Sequence, residues 1–409
     1  MASTFKIADL VVTSSQHEPK TLSNVVLIND LIYDIVFSEC TPASILRLAR
    51  TCKSAHAAVK YYMQRAFKID RILSRFFTSP LAFRQLQART GSLISGSAAL
   101  QFFDRSYYPE SDLDIYVPFK HRIEVGLFLF KEGYQFEPGR GQDDGFHATL
   151  SVDRRADFDE YDFRGVHAVL TFVKNWVDGT ATKAQMIVAI STPMEAILGF
   201  HSTCVMNLIS YEMAYSLYPK ATFEKRTSLT SVGTGPHNET KAEAHYKYYL
   251  RGWDVQDEFS ESEREKDFYT HAFRWLGDKR CWSIPLDTSF ITKRVPLSEG
   301  SKPMIRDPVV ISNWVLTWKY RGGANMSANV FSDPNLACSY VTDPFYYSFQ
   351  SYRTRLRMDL GGHRRTDRDR DFINWSLSRL RSNREGNRPI EDEESSEDDT
   401  EDDTWSDYL

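Results

Sequence analysis

Gly96-Ser97 and the pair Asp112/Asp114 are the residues whose types and spacing are suited to chemistry. A Gly-Ser pair at a strand-to-helix turn offers bare backbone N–H groups to a phosphate. Asp112-Leu113-Asp114-Ile115-Tyr116-Val117 has the alternation of a strand, so carboxylates at i and i+2 leave the same face. Two acids on one face are the start of a Mg²⁺ phosphoryl-transfer site, whose hard cations take oxygen ligands and sit roughly 3.5–4 Å apart. A polar sheet edge with a closely packed glycine is the plain structural account of the same residues.

Positioning these groups needs a strand over Ser92–Ser95, a helix from Ser97 to Phe103 and a strand from Leu113 to Val117. Upstream, the pattern predicts helices around Gln64–Phe77 and Leu81–Gln87. Downstream it predicts an amphipathic helix over His121–Gly133 and strands Val166–Lys174 and Ala184–Ile190, joined at the turn signal Asp178-Gly179. Pro193 opens a short helix, and Cys204–Ile209 reads as a further strand. Residues 240–290 read as helical and aromatic-rich, and order is expected to fade from about Asp359.

The order apolar-Gly-Ser, spacer, Asp-apolar-Asp-apolar resembles the signature of the nucleotidyltransferase superfamily. The resemblance implies Gly96 and Ser97 as nucleotide-binding, Asp112 and Asp114 as metal ligands, and a third carboxylate on a neighbouring strand. The best-matching strand, Lys183–Ile190, carries Gln185 at that place. An amide can ligate a hard cation, but it brings no charge and cannot serve as a base. Two carboxylates can still hold one Mg²⁺ with nucleotide phosphates. Asp157, Asp159 and Asp162 offer a substitute acid or a solvated loop. The segments Phe200–Asn207 and Tyr215–Lys220 resemble the continuation in nucleotidyltransferase-like proteins of basidiomycete fungi. Lys220, with Lys225 and Arg226, then either reaches a triphosphate or is surface charge. His201 and Cys204 have no second ligand pair in the sequence, so a buried thiol and a satisfied histidine explain them best.

At the N-terminus, Leu27-Ile28-Asn29-Asp30-Leu31-Ile32-Tyr33-Asp34-Ile35-Val36 followed by Ile45–Lys53 resembles an F-box, with Ile28 where that family usually has proline. Leu27, Leu31, Ile32, Ile35 and Val36 form the helical stripe, and Pro42 suits a first helical turn. The resemblance implies docking on the adaptor of an SCF-type ubiquitin ligase; a three-helix cap on the next domain fits the same spacing.

The net charge of −5 hides an asymmetry: Glu391–Asp407 holds eleven acids and no base, leaving a body near +6. Such a body permits contact with nucleotides or nucleic acid. Tyr246–Trp253 places aromatics beside Lys247 and Arg251, either to stack on bases or as a core. The block Arg353–Asp371 interleaves arginine with aspartate, as a nucleic-acid patch or a solvated linker. Ser395, Ser396 and Thr400 each have an acid three positions on, which suits acidophilic kinases. Five scattered cysteines without CxxC fit a reduced compartment, cytoplasmic or nuclear, and no apolar run reaches about 18 residues.

The expected organisation is α+β: an arm (1–20), an F-box-like helical segment (21–67), a nucleotidyltransferase-like mixed sheet flanked by helices (68–235), a mainly helical extension (236–350), and an Arg-rich linker with a disordered acidic tail (351–409). The expected function is an F-box-like substrate adaptor whose degenerate nucleotidyltransferase-fold domain serves binding. The alternative is an active Mg²⁺-dependent enzyme moving a nucleotidyl group from a nucleoside triphosphate to a hydroxyl.

Overall fold

The computed structural model describes residues 26–151, 165–231, 238–257, 273–292, 307–318, 324–343 and 365–386. The arm, Asp157, Asp159 and Asp162, and the tail with Ser395, Ser396 and Thr400 lie outside the described residues. The chain divides into two compact units, residues 1–63 and 64–409.

In the first unit, α1 (Asp30–Glu39) starts where the Asn29 side chain accepts from Leu31 N–H, and α2 (Pro42–Ala49) where Thr41 accepts from Ser44 N–H. Pro42 occupies the first turn of α2, where its missing N–H costs nothing. Helix α3 (Lys53–Ala66) begins in this unit. The buried side of α1 is aromatic: Tyr33 stacks on Phe37 at 5.3 Å, and Phe37 meets Tyr62 of α3 edge-on at 5.4 Å. Two rings at i and i+4 bury more area than the aliphatic residues beside them. Leu31 and Ile35 are left 75% and 70% exposed, and Ile28, Ile32 and Val36 are exposed with them.

The second unit is mixed α/β. The expected Gln64–Phe77 helix is instead the end of α3 and a separate turn at Asp70–Leu73. Helix α4 (Pro80–Thr90) ends in Gly91 at φ +67°, a left-handed stop. Then follow β1 (Leu93–Ser95), α5 (Gly96–Asp104), β2 (Leu113–Pro118), α6 (Arg122–Lys131) and β3 (Gln135–Glu137). The hairpin β4 (Val166–Asn175) and β5 (Ala181–Ala189) turns at Asp178-Gly179. After α7 (Pro193–Leu198) come β6 (Asn207–Ile209), preceded by a tight turn where strand was expected from Cys204, and β7 (Met213–Ser216).

Among the described residues of 236–350, helix does not predominate. Helix α8 (Asn238–Leu250) is followed by β9 (Asp254–Gln256), β10 (Phe273–Trp275), β11 (Trp282–Pro285), β12 (Asn313–Trp318), β13 (Ala324–Ser327), β14 (Asn329–Phe331) and β15 (Tyr340–Thr342), after β8 (Thr227–Leu229) upstream. These pieces are too short to reveal a period, and their Trp, Phe and Tyr content suits pleated surfaces.

One eight-stranded sheet runs β11-β7-β6-β1-β2-β5-β4-β3; β2 and β5 are parallel and every other pair is antiparallel. Its edge strand β11 therefore comes from the segment expected to stand apart. On one face, Trp282 packs on Phe67 and Phe103. On the other, Tyr116, Ile187, Leu208 and Tyr215 share a core with Trp314, Leu316 and Met326 of the second sheet, β10-β12-β13.

The expected loss of order past Asp359 is corrected over 365–386, which form α9 (Arg365–Gly386). Its apolar stripe is narrow among charges, but Phe372, Ile373, Leu377 and Leu380 are buried against Trp275, Ile311 and Tyr340. Asp369, fully buried, accepts hydrogen bonds from Ala337 N–H (2.7 Å), Cys338 N–H (3.0 Å) and the Tyr340 hydroxyl. A composition dense in Arg and Asp hid a helix that tertiary burial holds. Among the described residues no helix is long and apolar enough to cross a membrane.

Candidate functional site

Asp114 lies between two partners across the sheet: Ser95 of β1 on one side and Gln185 of β5 on the other. The chain leaves β1 at Ser95 and turns into α5 through Gly96 at φ +65°. A Cβ on Gly96 would stand 2.2 Å from Asp114 Oδ2, so only glycine lets the carboxylate lie on this turn. The Ser97 N–H favours the charged form of Asp114, as expected of an anion at the first turn of a helix. Gln101 secures the approach: its Nε2 donates to Ser97 O (3.0 Å) and Ser111 Oγ (2.8 Å), and its Oε1 accepts from Tyr108 N–H (2.7 Å).

Asp112 sits just before β2 rather than within it. Its Oδ2 accepts from Gln185 Nε2 at 3.1 Å and pairs with Lys183 Nζ at 3.3 Å. Gln185 thus points into the same cleft as both acids. Burial, and then the negative charge of Asp112, push the Asp114 carboxyl up to about 7; Lys247, Lys183 and the Ser97 N–H pull the other way. The Lys247 ammonium of α8 is itself held below the usual lysine range by burial and by neighbouring Arg251, with Asp114 and Asp112 opposing. Arg251 lies over Tyr108 at 3.9 Å and over Tyr248 at 5.5 Å, and its buried Nη1 has no hydrogen-bond partner among the described residues.

The structure therefore brings together Gly96, Ser97, Asp112, Asp114 and Gln185. Lys220 stands exposed at the start of the turn Lys220–Glu224 after β7, and the cations that pull hardest on Asp114 are Lys247 and Lys183 instead. Arg226 is engaged with Asp104 at 2.6 Å. Sequence reasoning missed Lys183, although it stands two residues from Gln185 and alternation puts both on one face. Lys247 sits some 130 residues from the aspartates, and no spacing rule reaches it. Cys204 is fully buried, its thiol pushed up to about 11 by burial.

The donor set does not fit a two-metal clamp. One Asp112 oxygen already serves an ammonium and an amide N–H, and the described residues hold no group of three or more His, Cys, Asp or Glu side chains able to hold a metal ion. What the arrangement can do is bind an anion: helix-start N–H groups at Ser97, and cations at Lys183, Lys247 and Arg251. Comparison of the chain with protein-family models, curated proteins and solved structures gave no match.

Proposed function

We propose that the chain is a substrate adaptor: an F-box-like helical unit recruits a ubiquitin-ligase adaptor, and a degenerate nucleotidyltransferase-like domain binds rather than transfers. The observation that carries this reading is the state of Asp112, held by Lys183 and Gln185 where a catalytic acid would face metal. A lysine at 3.3 Å supplies the positive charge that Mg²⁺ would bring, without its Lewis acidity. The helix start at Gly96-Ser97 and the Lys247–Arg251 pair favour an anionic ligand such as a nucleoside triphosphate. The recruiting role is supported by α1, whose Leu31 and Ile35 present an aliphatic face while aromatic residues make its core.

Two measurements on the full chain test the halves separately. With Mg²⁺ and labelled nucleoside triphosphates, nucleotide is retained and no label moves to RNA, protein or small acceptors. Immobilised ubiquitin-ligase adaptor captures the chain, and Leu31→Glu with Ile35→Glu abolishes capture without lowering the melting temperature. Robust label transfer would overturn the binding reading in favour of the Mg²⁺-dependent transferase. The repulsion between Asp112 and Asp114, only partly offset by Lys247 and Lys183, is the observation on that side. Failure to capture would leave α1–α3 as a structural cap.

A further inference from the structure

A second site lies away from the aspartates, where the edge of the large sheet meets α9. Strands β7 and β11 pair Tyr215 with Ser283 and Met213 with Pro285. The pleat sends Met213, Tyr215 and Ser283 to one face, while Trp282 turns to the other and packs on Phe67 and Phe103. The first three line an open cavity of about 380 Å³, closed opposite by Trp275, Leu276, Val310 and Leu377. That volume falls within the range of small-molecule pockets, roughly 300–1,000 Å³.

The far wall is rigidly built. The Asp278 carboxylate accepts from the buried Arg274 Nε at 2.6 Å and from the N–H groups of Trp275 (3.2 Å), Arg280 (2.9 Å) and Cys281 (2.9 Å). The Trp275 ring lies so close on Gly277 that a Cβ there would stand 2.2 Å from it. The tryptophan is therefore fixed as a wall and does not collapse into the space. One charged group reaches the cavity. Arg381, one turn beyond the buried Leu377 on α9, is exposed at its mouth and has no acidic partner among the described residues. Apolar and aromatic walls, the hydroxyl-bearing side chains of Tyr215 and Ser283, and one unpaired guanidinium call for a ligand with an apolar body and a single negative charge.

We infer that this cavity binds a compact aromatic or aliphatic carboxylate, its body between Trp275 and Tyr215 and its carboxylate on Arg381. A planar carboxylate matches the guanidinium fork with two parallel hydrogen bonds. A multiply charged phosphate would leave charge unpaired against apolar walls.

The test is calorimetric titration of the full chain with indole-3-acetate, phenylacetate and octanoate, with indole-3-acetamide as the neutral control. One-site saturation by at least one acid is expected. Arg381→Gln, at an exposed position, should weaken it by about tenfold or more, and the amide should bind weaker by a similar factor. Ser283→Phe, which fills the cavity from an edge strand, should abolish binding with the melting temperature retained. No saturation by any of the three acids at millimolar concentration overturns the inference. So does equal binding of acid and amide, or undiminished binding by Arg381→Gln or by Ser283→Phe.

Discussion

Replacing Asp114 with Asn should stabilise the second unit at alkaline pH and leave it unchanged in acid. The carboxyl is moved from its usual 3.8 to about 7 by burial and by Asp112. A carboxyl whose folded value is raised favours folding only while protonated. Its contribution is intact below pH 3.8, is lost as pH rises from there to about 7, and stays lost above. At 1.36 kcal/mol per pH unit, ionisation above pH 7 costs about 4 kcal/mol as an upper bound, and about 2–4 kcal/mol once the exposed edge of Asp114 is allowed for. Asn keeps an oxygen for Ser97 N–H and removes the charge. Urea unfolding followed by tryptophan fluorescence at pH 4, 6 and 8 should show a growing gain for Asp114→Asn, largest at pH 8. A loss of stability of equal size at all three pH values would refute the reasoning, because it would make Asp114 a plain hydrogen-bonding residue. A residue that costs stability where it stands is a candidate for function.

Gly96→Ala should cost about 1–3 kcal/mol, from φ +65° and from the Cβ driven onto Asp114. The cost should fall in the Asp114→Ala background, and a double-mutant cycle by urea unfolding measures that coupling. Asp369→Ala strands two backbone N–H groups and the Tyr340 hydroxyl; about 3–5 kcal/mol should be lost, with α9 the first segment to gain amide hydrogen exchange. Gln185→Asp adds a third acid beside Asp112 and Asp114. It should lower the melting temperature without metal and recover it with millimolar Mg²⁺, whereas the unmodified chain should shift little.

Much of the frame was legible because its signals are local. Pro42 after Thr41, the Asp178-Gly179 hairpin and the succession β1–α5–β2 follow from propensities and periods that a few residues carry by themselves. Gln185 was singled out by the resemblance to nucleotidyltransferases, not by spacing, and the parallel pairing of β2 with β5 sets it opposite Asp114.

What the sequence alone settled about this protein is therefore the order of its central elements and the glycine that opens α5. Tertiary structure alone decided three other matters. It placed β11 at the sheet edge, because pairing with β7 depends on a partner 66 residues upstream and not on any feature of Trp282–Pro285. It made a helix of 365–386, whose charge-rich pattern gains its stability from burying Phe372, Ile373 and Asp369 against residues from 275 to 340. And it set the charge of the site, since Lys183, 3.3 Å from Asp112, and Lys247 act on the aspartates through space in a way that no linear spacing encodes.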